Sequence, residues 1–394
     1  MPDLLSFAAR GLTGASWGVW TLYFLVTTQG TIVAVTLYLH RSQAHRGVQF
    51  HPAVAHLFRA WCWLSTGMVT RQWVAVHRKH HARCETAEDP HSPQVHGIRT
   101  VLWRGVDLYK AAAGNEADLA TYGMGTPKDW IERHLYERWS WLGPTLLAAI
   151  SIVLFGVVGL ALWALQMAWI PFWAAGVING LGHWWGYRNF ETPDTSANLM
   201  PWGLLIGGEE LHNNHHAFPA SARFAQQRFE LDGGWLVICL LRRLGLAKVR
   251  RVASGLGYRA HIQEPDEETL RALLLQHARI LHEYASGVIA PVLAQRPVGR
   301  RHLRRLRRAL ASGGRWLDPA TRSELAAVVR TRRYLSDVCD FRDRLVALTA
   351  RNRRDMSTLA EELRRWCADA ETSGIRVLVD FAARLKGCRV VEQG

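Results

Sequence analysis

Residues 17–45 read WGVWTLYFLVTTQGTIVAVTLYLHRSQAH: an apolar run without a charge from Trp17 to Leu39, followed at once by His40, Arg41 and His45. Its 23 uncharged residues, at about 1.5 Å of helix each, are enough for about 30 Å of bilayer hydrocarbon. A second uncharged stretch, Leu142–Trp185, is about twice as long and reads as two spans, roughly 142–163 and 166–187, with a turn near Gln166. A third apolar stretch, Ala53–Val69, carries His56 and Arg59 in its middle. An arginine at a bilayer centre costs about 2.5 kcal/mol or more, so this stretch reads as an interfacial or protein-buried helix over about 53–70.

Charge sets an orientation. Arg41 and Arg46 follow the first span, Arg71, Arg78, Lys79 and Arg83 follow the interfacial stretch, Arg133 and Arg138 precede the hairpin, and Arg188 follows it. Arg10 alone lies on the other side. Basic flanks stay in the cytoplasm, which places the N-terminus outside. Trp17, Trp20, Trp139, Trp141, Trp184 and Trp185 sit near the span ends, where an aromatic belt belongs. The opening MPDLLSFAARG has no basic start and no small-residue cleavage site, so no signal peptide is expected. Six scattered cysteines without a CxxC argue against a disulfide scaffold and fit a reducing compartment.

The net charge of +15 belongs mainly to one end: from Arg250 onward Lys and Arg outnumber Asp and Glu by 28 to 17. That part is Arg/Leu/Ala-rich and helix-favouring, includes RPVGRRHLRRLRRAL at 296–310, and has no apolar run long enough to span. The expected architecture is therefore all-α. A membrane domain at 1–249 is followed by a basic, helical, cytoplasmic extension at 250–394.

Half of the 18 histidines fall in four groups: HRSQAH (His40, His45), HRKHH (His77, His80, His81), NGLGH (Asn179, His183) and HNNHH (His212, His215, His216). Positions i, i+3 and i+4 share one helical face, so the second and fourth groups each aim three imidazoles one way. Asn179 and His183 are i, i+4 partners. His40 and His45 are about 140° apart on an ideal helix, which suggests one on the last turn of the span and the other beyond a break. Each group lies at the end of an apolar stretch, and three crossings bring all four to the cytoplasmic side. Nine neutral imidazoles exceed the four ligands of one zinc and divide naturally between two metals. Imidazole suits iron, copper, nickel and zinc, so ligand type alone does not name the metal.

The motifs HRSQAH, HRKHH followed by ETAEDPHS, NGLGHWWGYRNF and GEELHNNHHAFP resemble those of membrane acyl desaturases of the stearoyl-CoA type, in order and spacing over roughly residues 20–245. GEELHNNHH looks most like the bacterial branch. The resemblance implies two irons held by His40, His45, His77, His80, His81, His183, His212, His215 and His216. It places Asn179 next to one iron through a water, puts Trp73 on the wall of the acyl tunnel, and leaves His91 a supporting role. Animal members have a further span ahead of the first histidine box; here about 16 residues precede Trp17, and three spans are expected.

The implied activity is O2-dependent insertion of a cis double bond, Δ9 by family default, into a fatty acyl chain carried on CoA, acyl-carrier protein or a phospholipid. It would take place in a membrane, the inner one if the chain is bacterial, with the active site facing the cytoplasm. The chain has no HPGG heme motif, no cysteine cluster and no GxGxxG, so electrons are expected from a separate ferredoxin- or cytochrome-type donor with its reductase. Arg71, Arg78 and Lys79 form a candidate face for an acidic donor. A membrane di-iron hydroxylase of alkyl chains has the same metal logic. A nucleic-acid- or lipid-binding role for the Arg-rich C-terminus is the alternative of another class.

Overall fold

The computed structural model describes residues 4–294, 333–349 and 355–392, together with Leu310, Ser323, Ala326, Ala327 and Val329. Apart from Leu310, the Arg-rich run at 296–310 lies outside the described residues. The chain is mostly helical, with three two-stranded pairings among the described residues. It divides into two units, residues 1–187 with 196–252, and residues 188–195 with 253–394.

The first unit begins with α1 (Leu4–Arg10) and α2 (Trp17–Ala34). Beyond Ala34 the helix does not break; it widens into a π-helix over Val35–Ala44. Then come α3 (Pro52–Thr66), α4 (Thr70–Arg83), α5 (Ile98–Ala113), α6 (Leu142–Phe155) and α7 (Val157–Pro171). α7 widens in the same way, over Phe172–Leu181. Two continuous helices, Trp17–Ala44 and Val157–Leu181, are long and apolar enough to cross a membrane, at 28 and 25 residues. α6, with 14 residues, reaches only about 21 Å. Large apolar side chains stand exposed on all three, among them Leu22, Val26, Ile150, Val153, Val157 and Leu165, as helices facing lipid would have them.

The hairpin turns at Gly156, ten residues before the expected position, and Gln166 is buried within α7. Gly156 has φ 62° and ψ −140°, a conformation that residues with a Cβ essentially do not adopt. A Cβ there would also lie 2.4 Å from the Ala8 carbonyl oxygen. The N-terminal segment closes over the turn: Leu12 N–H donates to Val153 O (2.9 Å) and Thr13 N–H to Leu154 O (3.2 Å).

The stretch expected as one helix over 53–70 ends at Thr66, with Gly67 in the left-handed region (φ 68°), and α4 starts at Thr70. Arg59 fits there because it is buried against acids: its guanidinium lies 2.5 Å from Asp129 and 3.4 Å from Glu132. One arginine serves two carboxylates. Burial pushes the Glu132 carboxyl up to about 7 against the pull of Arg59, with the Asp129 charge adding to the rise.

Three basic residues counted toward orientation find their partners within the fold. The fully buried Arg41 is bidentate to Asp232 (both 2.9 Å), donates to Gly207 O and Ala222 O, and stacks 3.7 Å over the Phe224 ring. Arg78 donates to the carbonyls of Gln43, Ala44, Tyr122 and Met124. Lys79 pairs with Asp118 at 2.6 Å. Arg78 and Lys79 are therefore spent inside the fold, which removes most of the face expected for an acidic donor.

The second unit has its own core. Helices Glu267–Leu275, His277–Tyr284, Arg333–Thr349, Met356–Thr372 and Arg376–Lys386 turn Leu270, Leu273, Tyr284, Leu363, Trp366 and Phe381 inward. Strand Gly255–Tyr258 pairs antiparallel with Cys388–Val391 and ties the C-terminal part to the start of the unit.

Candidate metal centre

The π-helical end of α2 brings the first pair together. A π-helix bonds residue i+5 to residue i; here His45 N–H donates to His40 O at 3.1 Å. The five-residue spacing, which looks like a break in α-periodicity, is thus one closed ring, with the imidazoles 5.0 Å apart. α4 contributes His77, His80 and His81 from one face. α8 (His212–Ala217) contributes His212, His215 and His216. Asn214, between the histidines of HNNHH, anchors α8: its amide donates to Glu230 (2.7 Å) and Phe224 O (3.0 Å) and accepts from Asn198 (3.0 Å). His183 follows the π-helical end of α7.

The nine rings fall into two sets. One ring nitrogen each from His40, His45, His77, His81 and His215 lie mutually within 4.8 Å. His80, His183 and His216 form the second set within the same limit, together with Cys84, and His212 joins through Nε2, 3.0 Å from His183 Nε2. Other Nε2 pairs approach as closely: His45–His77 at 2.7 Å, His81–His215 at 2.8 Å, His40–His215 at 3.0 Å and His80–His183 at 3.2 Å.

Three carboxylates, whose roles the sequence reading did not foresee, orient these rings. Glu209 accepts from His40 Nδ1 (2.7 Å), Asp89 from His80 Nδ1 (3.0 Å) and Glu85 from His183 Nδ1 (3.1 Å). An ionised carboxylate only accepts, so each of these Nδ1 atoms carries a proton, and each Nε2 is turned away from the acid toward the other rings. Glu85, at φ 60°, and Asp89 sit on the turn that carries the chain back over the site; Asp89 also accepts from Glu85 N–H (2.6 Å) and His91 N–H (3.1 Å). Burial, aided by neighbouring imidazoles, holds His45, His77, His81 and His215 well below the ordinary histidine value. These rings are neutral. Converging lone pairs of neutral imidazoles repel one another unless a cation lies between them, and neutral imidazole with its far nitrogen bonded to a carboxylate is the form that binds metal. The residues fit a two-metal centre.

A cavity of about 420 Å³ adjoins the histidines. His40, His77, His91, His212 and Asn179 form one part of its lining; Met68, Val76, Met167, Ile170, Ala174 and Ile178 supply apolar wall. Trp73 lines it as well and stacks on His77, 5.0 Å between centroids at 12°. His91 stacks on His80 at 4.4 Å and is buried. The carboxylates lay in quoted motifs, ETAEDPHS and GEEL; the available signal was an acid beside two of the histidine groups, HRKHH and HNNHH.

Fold and site together define a mostly helical protein with apolar spans and paired histidine clusters suited to metal. The fatty acid desaturase family model matches residues 15–229, more than half of the chain, and the chain belongs to that family of oxidoreductases. It is 28% identical over 251 residues to the sn-1 stearoyl-lipid 9-desaturase of Anabaena variabilis, covering 62% of this chain and 87% of that protein. It is 28% identical to Delta-9 acyl-lipid desaturase 2 of Arabidopsis thaliana (59% and 74% covered). With the icosanoyl-CoA 5-desaturase of Limnanthes douglasii the identity is 31% (59% and 65% covered).

Proposed function

We propose that the protein inserts a cis double bond, at Δ9, into a saturated fatty acyl chain held in the cavity against a di-iron centre. The observation that carries this reading is the shared wall: His40, His77 and His212 belong to the two donor sets and also line an otherwise largely apolar cavity. His40, His45, His77, His81 and His215 would hold one iron, and His80, His183, His212 and His216 the other. Reduced iron with O2 would supply an oxidant able to take two hydrogens from adjacent methylenes, the O2 leaving as two waters formed with those hydrogens and with two electrons and two protons from outside. Trp73, stacked on His77, fixes the chain beside the metals, which selects the carbons that react. The apolar wall keeps water from the reacting methylenes. Asn179, on the same wall, would approach one of the irons through a water.

The electrons come from a separate donor. α2 and the α6–α7 hairpin carry the histidines to the cytoplasmic face of the membrane, and residues 250–394 form a cytoplasmic extension. The relatives' names include both acyl-lipid and acyl-CoA substrates, and membrane delivery to a buried cavity favours the lipid-borne chain.

Expression in a host lacking desaturases, with double-bond mapping of its lipids, tests the reading. New Δ9 monoenes are expected. Unchanged lipids with iron, O2 and a donor present would refute it. His80→Ala and His215→Ala should each abolish turnover and lower bound iron; retained iron and turnover would remove that residue from the set.

A further inference from the structure

The two donor sets are unequal: five imidazoles face one metal position and four the other. We infer that Cys84 is the missing fifth protein donor, a thiolate ligand to the second metal. This rests on the di-iron reading above. The Cys84 sulfur and the ring nitrogens of His80, His183 and His216 lie mutually within 4.8 Å, and Sγ is 3.9 Å from His80 Nε2. A metal about 2.3 Å from sulfur and about 2.0–2.1 Å from nitrogen, with neighbouring donors about 90–120° apart as in a five-donor site, puts the two atoms about 3.1–3.8 Å apart. The observed spacing needs only a small adjustment.

The local sequence explains how the thiol arrives there. His77, His80, His81 and Cys84 stand at i, i+3, i+4 and i+7, so the cysteine continues the histidine face of α4 by one more turn. It is the C-terminal cap residue of that helix, leaving at φ −48° and ψ 124°, and the next residue, Glu85, holds His183. The chain thus reverses with Cys84 and Glu85 both directed to the second set. Cys84 is not on the cavity wall, whereas Asn179 is. The sulfur therefore reaches the metal from the protein side and leaves the cavity side open to water, O2 and the acyl chain. Thiolate is a softer donor than imidazole, so the two metals would differ in electronic character, with the sulfur-bound one easier to oxidise.

Two measurements on the full-length protein in detergent, loaded with iron under anaerobic conditions, test this. Iron-edge X-ray absorption should show a nitrogen-rich shell plus a sulfur scatterer at about 2.3 Å, equivalent to about half a sulfur per iron. Cys84→Ser should lose the sulfur and keep the nitrogens. In the wild-type protein, alkylation of Cys84 followed by mass spectrometry should slow by about ten-fold or more on metal loading, because a metal-bound thiolate is a poor nucleophile. Cys239, on the helix Gly233–Arg243, serves as the control and should react equally in both states. A nitrogen shell without sulfur, with Cys84 alkylated at the same rate loaded and empty, overturns the thiolate assignment while the histidine centre stands. Absence of a nitrogen-rich shell overturns the di-iron reading and this assignment with it.

Discussion

Replacing Asp89 by Asn tests whether the carboxylates prepare the histidines for metal. Asp89 is fully buried and accepts from His80 Nδ1, Glu85 N–H and His91 N–H. Asparagine preserves the size and one accepting oxygen, but loses the charge and turns an N–H2 group toward donors. His80 then loses its charge-assisted partner, and its Nε2 lone pair is no longer held inward. Loss of a carboxylate behind a metal-bound histidine costs about 10- to 100-fold in metal affinity, which is about 1.4–2.7 kcal/mol at 1.36 kcal/mol per decade. The effect should fall on the four-histidine set, since His80 belongs there. Chelator competition on the loaded protein should release one iron at lower chelator concentration while the second follows the wild-type curve. Glu209→Gln should weaken the other iron, through His40. If Asp89→Asn binds both irons as tightly as wild type, or loosens both equally, the orienting role assigned to the carboxylate is wrong.

Other perturbations separate the fold from the site. Arg41→Met leaves Asp232 charged and unpaired in the core, and removing one partner of a buried pair costs about 3–5 kcal/mol; a detergent-phase thermal unfolding midpoint unchanged from wild type would contradict that burial. Gly156→Ala places a Cβ against Ala8 O at a φ that alanine resists, so unfolding should occur at least about 1–3 kcal/mol sooner; wild-type stability would mean the turn lies elsewhere. Glu132 has its carboxyl raised to about 7 by burial, so the folded state binds its proton more readily than the unfolded chain does. Stability from this group is therefore present below the unfolded value near 4.5 and is lost as pH rises toward 7. Glu132→Gln should flatten the stability profile over pH 5–8, and an unaltered slope would refute the assignment.

Much of the site was legible because its signal is local. His77, His80 and His81, and again His212, His215 and His216, sit at spacings a helix turns to one side, and the apolar run before His40 announces its own span. Three things were not. The turn at Gly156 is hidden because residues on both sides of it are apolar, so hydropathy places the midpoint of 142–185 near Gln166; only backbone conformation marks the glycine. The spacing of His40 and His45 reads as a broken α-helix, since nothing local distinguishes a π-helix from an end. The basic residues Arg41, Arg78 and Lys79 read as surface charge, because their partners, Asp232, four main-chain carbonyls and Asp118, are remote in sequence.

The widened ends of α2 and α7 have a consequence for how such a chain can change. A helix that enters a membrane must keep its lipid-facing side in phase along its whole length, while a metal requires its ligands at fixed directions that need not share that phase. The extra residue in each π-turn is an adjustable coupling between the two: it rotates His40, His45, Asn179 and His183 relative to the apolar shaft without moving the shaft. A residue added or removed within 35–44 that the turn did not absorb would swing everything beyond it by about 100°. The membrane-facing stripe of either helix can therefore drift with the lipid while the ligand geometry stays put, and length changes in these ten-residue segments are the ones the site should not tolerate.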